Sequence, residues 1–201
     1  MKKLFLLLTA LAIVEADAQR QTTFGVKGGL NIANLFLKGE GDLTHSSRMS
    51  FNAGGFAHFH IKGNVALQPE LLFSGQGTKM QADHGNDVFP RYENYNWVFD
   101  YINAPVMLQY LLSKTISVET GPQIGTLLSA NIKSSHEVPF DLRDQLKRFD
   151  FSWNFGGSYI SKLGLGIGFR YTIGLNNINK SFDYIYKNRV WLFDVLYAIK
   201  K

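Results

Sequence analysis

Between Leu163 and Thr172 the chain reads L-G-L-G-I-G-F-R-Y-T, with Leu163, Leu165, Ile167, Phe169 and Tyr171 at every second position. Gly164, Gly166, Gly168, Arg170 and Thr172 fill the alternate positions. Side chains alternate across a strand with period two, so one face is large and apolar and the other small and polar. A helix would scatter both sets around its circumference. In a soluble sheet the apolar face would turn inward and the glycines would meet water, where they pack nothing. In a lipid-embedded barrel the assignment reverses: the apolar set faces lipid and the small set relieves a narrow interior that must also hold an arginine.

Seven further segments repeat the pattern. They are Thr23–Ile32, Ser50–Ile61, Val65–Gly77, Phe99–Leu111, Thr115–Ala130, Arg148–Ile160 and Arg189–Ile199. The last, for example, sets Trp191, Phe193, Val195, Tyr197 and Ile199 against Asp194 and Ala198. Eight alternating segments in succession predict an all-β chain.

The connections carry an independent signal. Lys62-Gly63-Asn64, Leu112-Ser113-Lys114 and Ser161-Lys162 predict tight turns, whereas 33–49, 78–98, 131–147 and 173–188 predict long polar loops, with a short helical turn within 137–147. Strict alternation of short and long connections is the up-and-down topology of an outer-membrane barrel, whose periplasmic turns are short and whose extracellular loops are long. Both chain ends then lie on the periplasmic side. Phe59, Tyr110, Tyr159 and Tyr197 fall near one rim, and Phe73, Phe149, Phe151, Tyr171 and Trp191 near the other, as two aromatic girdles would. Only a closed wall satisfies every strand edge in lipid, so the expected fold is an eight-stranded antiparallel up-and-down transmembrane β-barrel.

Composition supports this in three places. Charged residues make up 18% of the 201, fewer than in a typical soluble domain, while aromatics reach 14% and glycines number 19. Lys2 and Lys3 precede an apolar run from Leu4 to Val14 and an Ala16-Asp17-Ala18 pattern, which predicts a cleaved secretory signal peptide over 1–18 and a barrel domain over 19–201. The apolar run is too short to span a bilayer as a helix. Cysteine is absent, so neither a lipidated cysteine nor a thiolate metal site is expected. The formal charge of +5 is scattered without a basic run, and nucleic acid is not an expected partner.

Specific residues then show a family likeness. F-G-V-K-G-G-L-N-I at 24–32, L-Q-P-E-L-L-F-S at 67–74, A-P-V-M-L-Q-Y at 104–110, E-T-G-P-Q-I-G-T-L-L at 119–128 and F-R-Y-T-I-G-L-N-N-I at 169–178 resemble the PorT-like outer-membrane β-barrel proteins of the Bacteroidetes. The resemblance implies an outer-membrane barrel, for most members without an assigned activity, and PorT itself is associated with type IX secretion.

Candidate chemistry is sparse. Gly164, Gly166 and Gly168 are mid-strand, where they cannot form the turn before a helix that cradles phosphate. His58 and His60 share a face without a third metal ligand at useful spacing, and no G-x-S-x-G element accompanies them. No catalytic, cofactor or metal site is expected. Lys27, Glu70, Glu119, Arg170 and Asp194 all point inward near mid-depth. Barrel closure sets Asp194 between Arg170 and Lys27, which predicts a salt-bridge network completed by Glu70 and Glu119, because unpaired charges there would be costly. Such a network plugs a lumen only wide enough for side chains. Function would then reside in the loops, with Phe89, Arg91, Tyr92, Tyr95 and Trp97 as candidate contacts. The expected role is a non-enzymatic scaffold or partner-binding accessory of the cell envelope, linked to secretion; its partners would be outer-membrane lipid and other envelope or secretion proteins. The alternative is a porin-like channel for small solutes or ions.

Overall fold

A computed structural model describes residues 22–38, 44–83, 92–134, 139–181 and 184–199. The expected signal segment, Phe89 and Arg91 lie outside these residues. Within them the strands are β1 (Thr23–Lys38), β2 (Thr44–Lys62), β3 (Val65–Asp83), β4 (Tyr92–Leu111), β5 (Ile116–Lys133), β6 (Phe140–Asp141), β7 (Phe149–Ile160), β8 (Leu165–Gly174) and β9 (Ile185–Ile199). β6 is a two-residue strand laid on β5, and one 3-10 turn, Arg143–Gln145, follows it. The other eight strands form the wall. Each pairs antiparallel with its neighbour, β9 returns to β1, and β4 pairs with β5, so the sheet closes.

Alternation dictates the two surfaces. In β9 every second side chain from Tyr186 to Ala198 is buried, and Trp191, Phe193, Val195, Tyr197 and Ile199 are exposed between them. Phe24, Val26 and Leu30 of β1 and Leu165, Ile167 and Phe169 of β8 continue the same exposed apolar band. A soluble protein rarely exposes a contiguous apolar surface beyond a few hundred Å²; lipid is the solvent this band fits. Among the described residues no helix is long and apolar enough to cross a membrane, so the crossing belongs to the strands. Tyr171 stacks on Trp191 at 4.1 Å, and Phe169 lies 5.2 Å from both Trp191 and Phe193, an aromatic cluster on the lipid face toward the loop end.

Two expectations about boundaries change. First, β8 begins at Leu165, because Gly164 takes a left-handed φ of +88° and its amide donates to the Ser161 carbonyl at 3.0 Å, closing the turn. Leu163, 85% exposed, belongs to that turn and not to the strand. Gly166 keeps the expected clearance role, since a Cβ there would meet the Tyr159 carbonyl oxygen at 2.2 Å and Leu196 at 2.8 Å. Gly168 has only ordinary contact distances around it. Second, the strands outrun the expected segments at the loop end. β1 continues to Lys38 and β2 begins at Thr44, so most of the expected 33–49 loop is wall; β3 to Asp83 and β4 from Tyr92 likewise consume much of 78–98. Tyr92, Tyr95 and Trp97, expected on a loop, are β4 residues.

Three prolines interrupt the ladders of consecutive strands. Pro69 in β3, Pro105 in β4 and Pro122 in β5 have no N–H to donate. Pairing lapses beside each: between Phe56↔Glu70 and Phe59↔Leu67, between Pro69↔Val106 and Leu72↔Asn103, and between Pro105↔Gln123 and Leu108↔Thr120. The lapses run diagonally across the wall at the depth of Glu70 and Glu119.

Candidate functional site

The lumen is packed at two levels. The lower one is built from the five charged residues singled out by their inward positions. Arg170 of β8 is 1% exposed and holds two carboxylates across the barrel. Its Nη1 and Nη2 donate to Glu70 Oε2 and Oε1 at 2.8 and 2.7 Å, a bidentate pair. Its Nε and Nη2 donate to Glu119 Oε1 at 2.9 and 2.6 Å. Lys27 Nζ bridges Asp194 Oδ2 at 3.1 Å and Glu70 Oε2 at 3.4 Å. Planar guanidinium forks fit carboxylates in this way and an ammonium cannot.

The pairing differs from the expected one in a single respect. Arg170 pairs with Glu70 and Glu119, on strands β3 and β5, and not with Asp194 on the adjacent β9. Register explains it: Asp194 stands opposite Gly168, whereas Arg170 stands opposite Leu192, and the long side chain reaches across the lumen. Asp194 is satisfied instead by Lys27 and by Asn52 Nδ2 at 2.9 Å.

Amides complete the cluster, a contribution that charge alone did not reveal. Gln68 Nε2 donates to Glu70 Oε1 at 2.8 Å, and Gln109 Nε2 to Glu119 Oε2 at 2.9 Å. Asn52 also donates to Asn31 Oδ1 at 2.8 Å, and Asn31 to Ser74 Oγ at 3.0 Å. Three carboxylates thus face two cations, and the excess negative charge is spread over amide donors. A cavity beside Arg170 and Asp194 measures about 10 Å³, room for roughly one water molecule.

The upper level is apolar. Leu35, Phe99, Tyr101, Leu127, Ala130, Leu142, Leu146, Ile178 and Tyr186 form one buried cluster, with Leu37, Trp97 and Ile132 packed against it. Leu142, Leu146 and Ile178 come from connections, folded back over the barrel mouth. The Lys147 amide donates to the Ile178 carbonyl at 2.7 Å, and Leu146 bridges Asn179, which joins the two connections into one cap. The expected helical turn is the short Arg143–Gln145 segment of this cap. The inward alternation of Ala33, Leu35 and Leu37 past Ile32 is the signal that could have revealed the upper cluster. Trp97, a candidate partner contact, packs against this cap, 5.8 Å from Tyr186 and edge-on to it. Tyr95 donates to Glu93 at 3.0 Å.

Asp150 lies between the two levels, and among the described residues no cation pairs with it. Asn188 Nδ2 and Ser152 Oγ donate to its Oδ2 at 3.0 and 3.1 Å. Its Oδ1 and the Asn188 Oδ1 are both buried without a donor. Replacing Asp150 by Asn removes a buried charge and adds N–H donors near the Asn188 Oδ1, which now has none. The expected result is a gain of about 1 kcal/mol in unfolding free energy in vesicles, measured by urea titration of tryptophan fluorescence; a loss would show that the carboxylate is needed.

Near the short turns, His58 Nδ1 lies 2.9 Å from Gln109 Oε1. Among the described residues no three His, Cys, Asp or Glu side chains converge as metal ligands.

Comparison with known proteins agrees with this architecture. Ail of Yersinia pestis, in complex with the heparin analogue sucrose octasulfate, is 12% identical, with a TM-score of 0.50 over 89% of this chain and 99% of that one. Neisserial surface protein A is also 12% identical, with a TM-score of 0.50 over 87% and 96%. Likeness at this identity shows the fold. No curated protein sequence matches the chain. Residues 16–180 match the family described as outer membrane protein beta-barrel domain, and the chain belongs to that family of the outer membrane.

Proposed function

We propose that the protein is a non-enzymatic outer-membrane scaffold whose working surface is its outer end, where it serves the cell envelope by binding. One observation carries this reading: the lumen is filled twice, by the Arg170 cluster with its cavity of about 10 Å³ and by the apolar cap above it. A solute path needs continuous water, and buried paired charges beneath an apolar stopper do not offer one. The family likeness to PorT-like proteins of the Bacteroidetes supports an accessory role beside type IX secretion as the finer form of the same reading.

Planar-bilayer recording tests the closed lumen. The purified barrel is expected to give no unit conductance, and reproducible single-channel steps would sink the scaffold reading in favour of a channel. A deletion strain tests the finer form: extracellular delivery of type IX cargo is expected to fall, and unchanged delivery removes that part while leaving the scaffold.

A further inference from the structure

The cap that closes the barrel mouth leaves a pocket on its outer side. Its volume is about 330 Å³, at the lower end of the roughly 300–1,000 Å³ of small-molecule sites. Trp97, Tyr184 and Tyr186 supply ring surface, with Tyr184 6.4 Å from Tyr186 and 38% exposed. Gln145, Asn179 and Lys180 supply the polar edge.

The polar groups have hydrogen-bonding capacity to spare. Asn179 uses its Oδ1 to accept from the Ser181 amide, and its Nδ2 carries no bond to a described residue. Lys180 Nζ donates once, to the Asp144 carbonyl at 2.8 Å, and an ammonium has three donors. The Gln145 side chain is exposed. Lys180 is the one charged residue among the described residues that line the pocket.

We infer that this pocket binds an acidic saccharide of one or two rings. A pyranose has an apolar C–H face, which ring surface covers, and a hydroxyl edge, which amide and ammonium donors satisfy. An acyl chain would leave those donors stripped of water and unpaired, and the Lys180 ammonium, with no carboxylate beside it in the described lining, favours a ligand bearing one. Such sugars reach an outer-membrane rim from two sources, the lipopolysaccharide of the same membrane and free glycans outside. The inference names the chemistry of the outer end and rests on the reading of that end as the working surface; the conductance test fails or succeeds independently of it.

The test uses the full chain in detergent micelles, with galacturonate as probe, galactose as its uncharged counterpart, and saturation-transfer NMR as readout. Galacturonate is expected to saturate at millimolar concentration. Tyr184→Ala is expected to weaken it about tenfold, and Lys180→Gln to weaken galacturonate while leaving galactose unchanged. Both side chains are surface groups, and unchanged heat-modifiable gel mobility verifies that each variant is folded. Absence of saturation, equal binding by Tyr184→Ala, or displacement by a fatty acid overturns the inference. A second arm adds lipopolysaccharide: competition identifies the membrane's own sugar as the source, and persistence of the galacturonate signal identifies a free glycan.

Discussion

Replacing Arg170 with methionine is expected to lower the stability of the inserted barrel by about 3–5 kcal/mol, because it strands two buried carboxylates. Arg170 makes four short hydrogen bonds, two to Glu70 and two to Glu119, with the side chains of all three residues nearly inaccessible. Such a loss is a large part of the roughly 5–15 kcal/mol that separates typical folded and unfolded states. Lysine at this position is expected to recover only part of it, since a point charge cannot serve two carboxylates in bidentate geometry. The triple change Arg170→Met, Glu70→Gln, Glu119→Gln is expected to restore most of the stability, because neutral groups of similar volume carry no uncompensated charge. Urea unfolding in lipid vesicles, followed by heat-modifiable mobility, reads all three. A variant with raised conductance and unchanged melting would show instead that Arg170 gates a path.

A second large effect is expected on the opposite face of the same strand. Ile167 is 63% exposed and lies three residues before Arg170. If the band it belongs to is immersed in lipid, Ile167→Arg costs about 2–4 kcal/mol near the bilayer midplane. On a water-exposed surface the same change would fall within about 0.5 kcal/mol of zero. Vesicle unfolding of Ile167→Arg beside Lys187→Ala, a β9 control toward the loop end, separates the two cases. Equal stability of both variants with the native protein would contradict the lipid assignment of the face.

How much of this was legible in the chain depends on which periodicity survives in each region. The wall was legible because one face of every strand meets lipid and the other a packed interior, so the pattern of Trp191 to Ile199 or Leu165 to Tyr171 is nearly binary. Inward charges were legible for the same reason, since parity alone assigns Lys27, Glu70, Glu119, Arg170 and Asp194 to the lumen. Their pairing was not, because adjacency of strands suggests a partner on the neighbour, whereas a long guanidinium reaches two strands it never hydrogen-bonds through its backbone. Strand ends were illegible where lipid stops. Beyond Ile32 the apolar phase switches to the inward face, at Ala33, Leu35 and Leu37, while Asn34, Phe36 and Lys38 make the outward face mixed, so the lipid-facing pattern breaks off although the strand continues. The cap was hidden because Leu142, Leu146 and Ile178 are spaced by tertiary folding and follow no period. The sugar pocket is a product of that cap and shares its invisibility.

The Arg170 cluster also constrains the order in which the barrel can be made. Its bonds join residues very far apart in the chain: 100 positions separate Arg170 from Glu70, and 142 separate Asn52 from Asp194. No partly assembled sheet lacking β8 and β9 can make them, so until the last hairpin docks, Glu70 and Glu119 lack their guanidinium and Lys27 lacks Asp194. Charges in that state need water, which keeps an open sheet from settling into the bilayer as a stable species. The cluster therefore acts as a latch on closure: it makes the incomplete barrel the least comfortable intermediate and ties deep insertion to the meeting of β1 with β9. Contacts of such long range also predict slow, concerted folding, limited by the search that brings the two ends of the chain together.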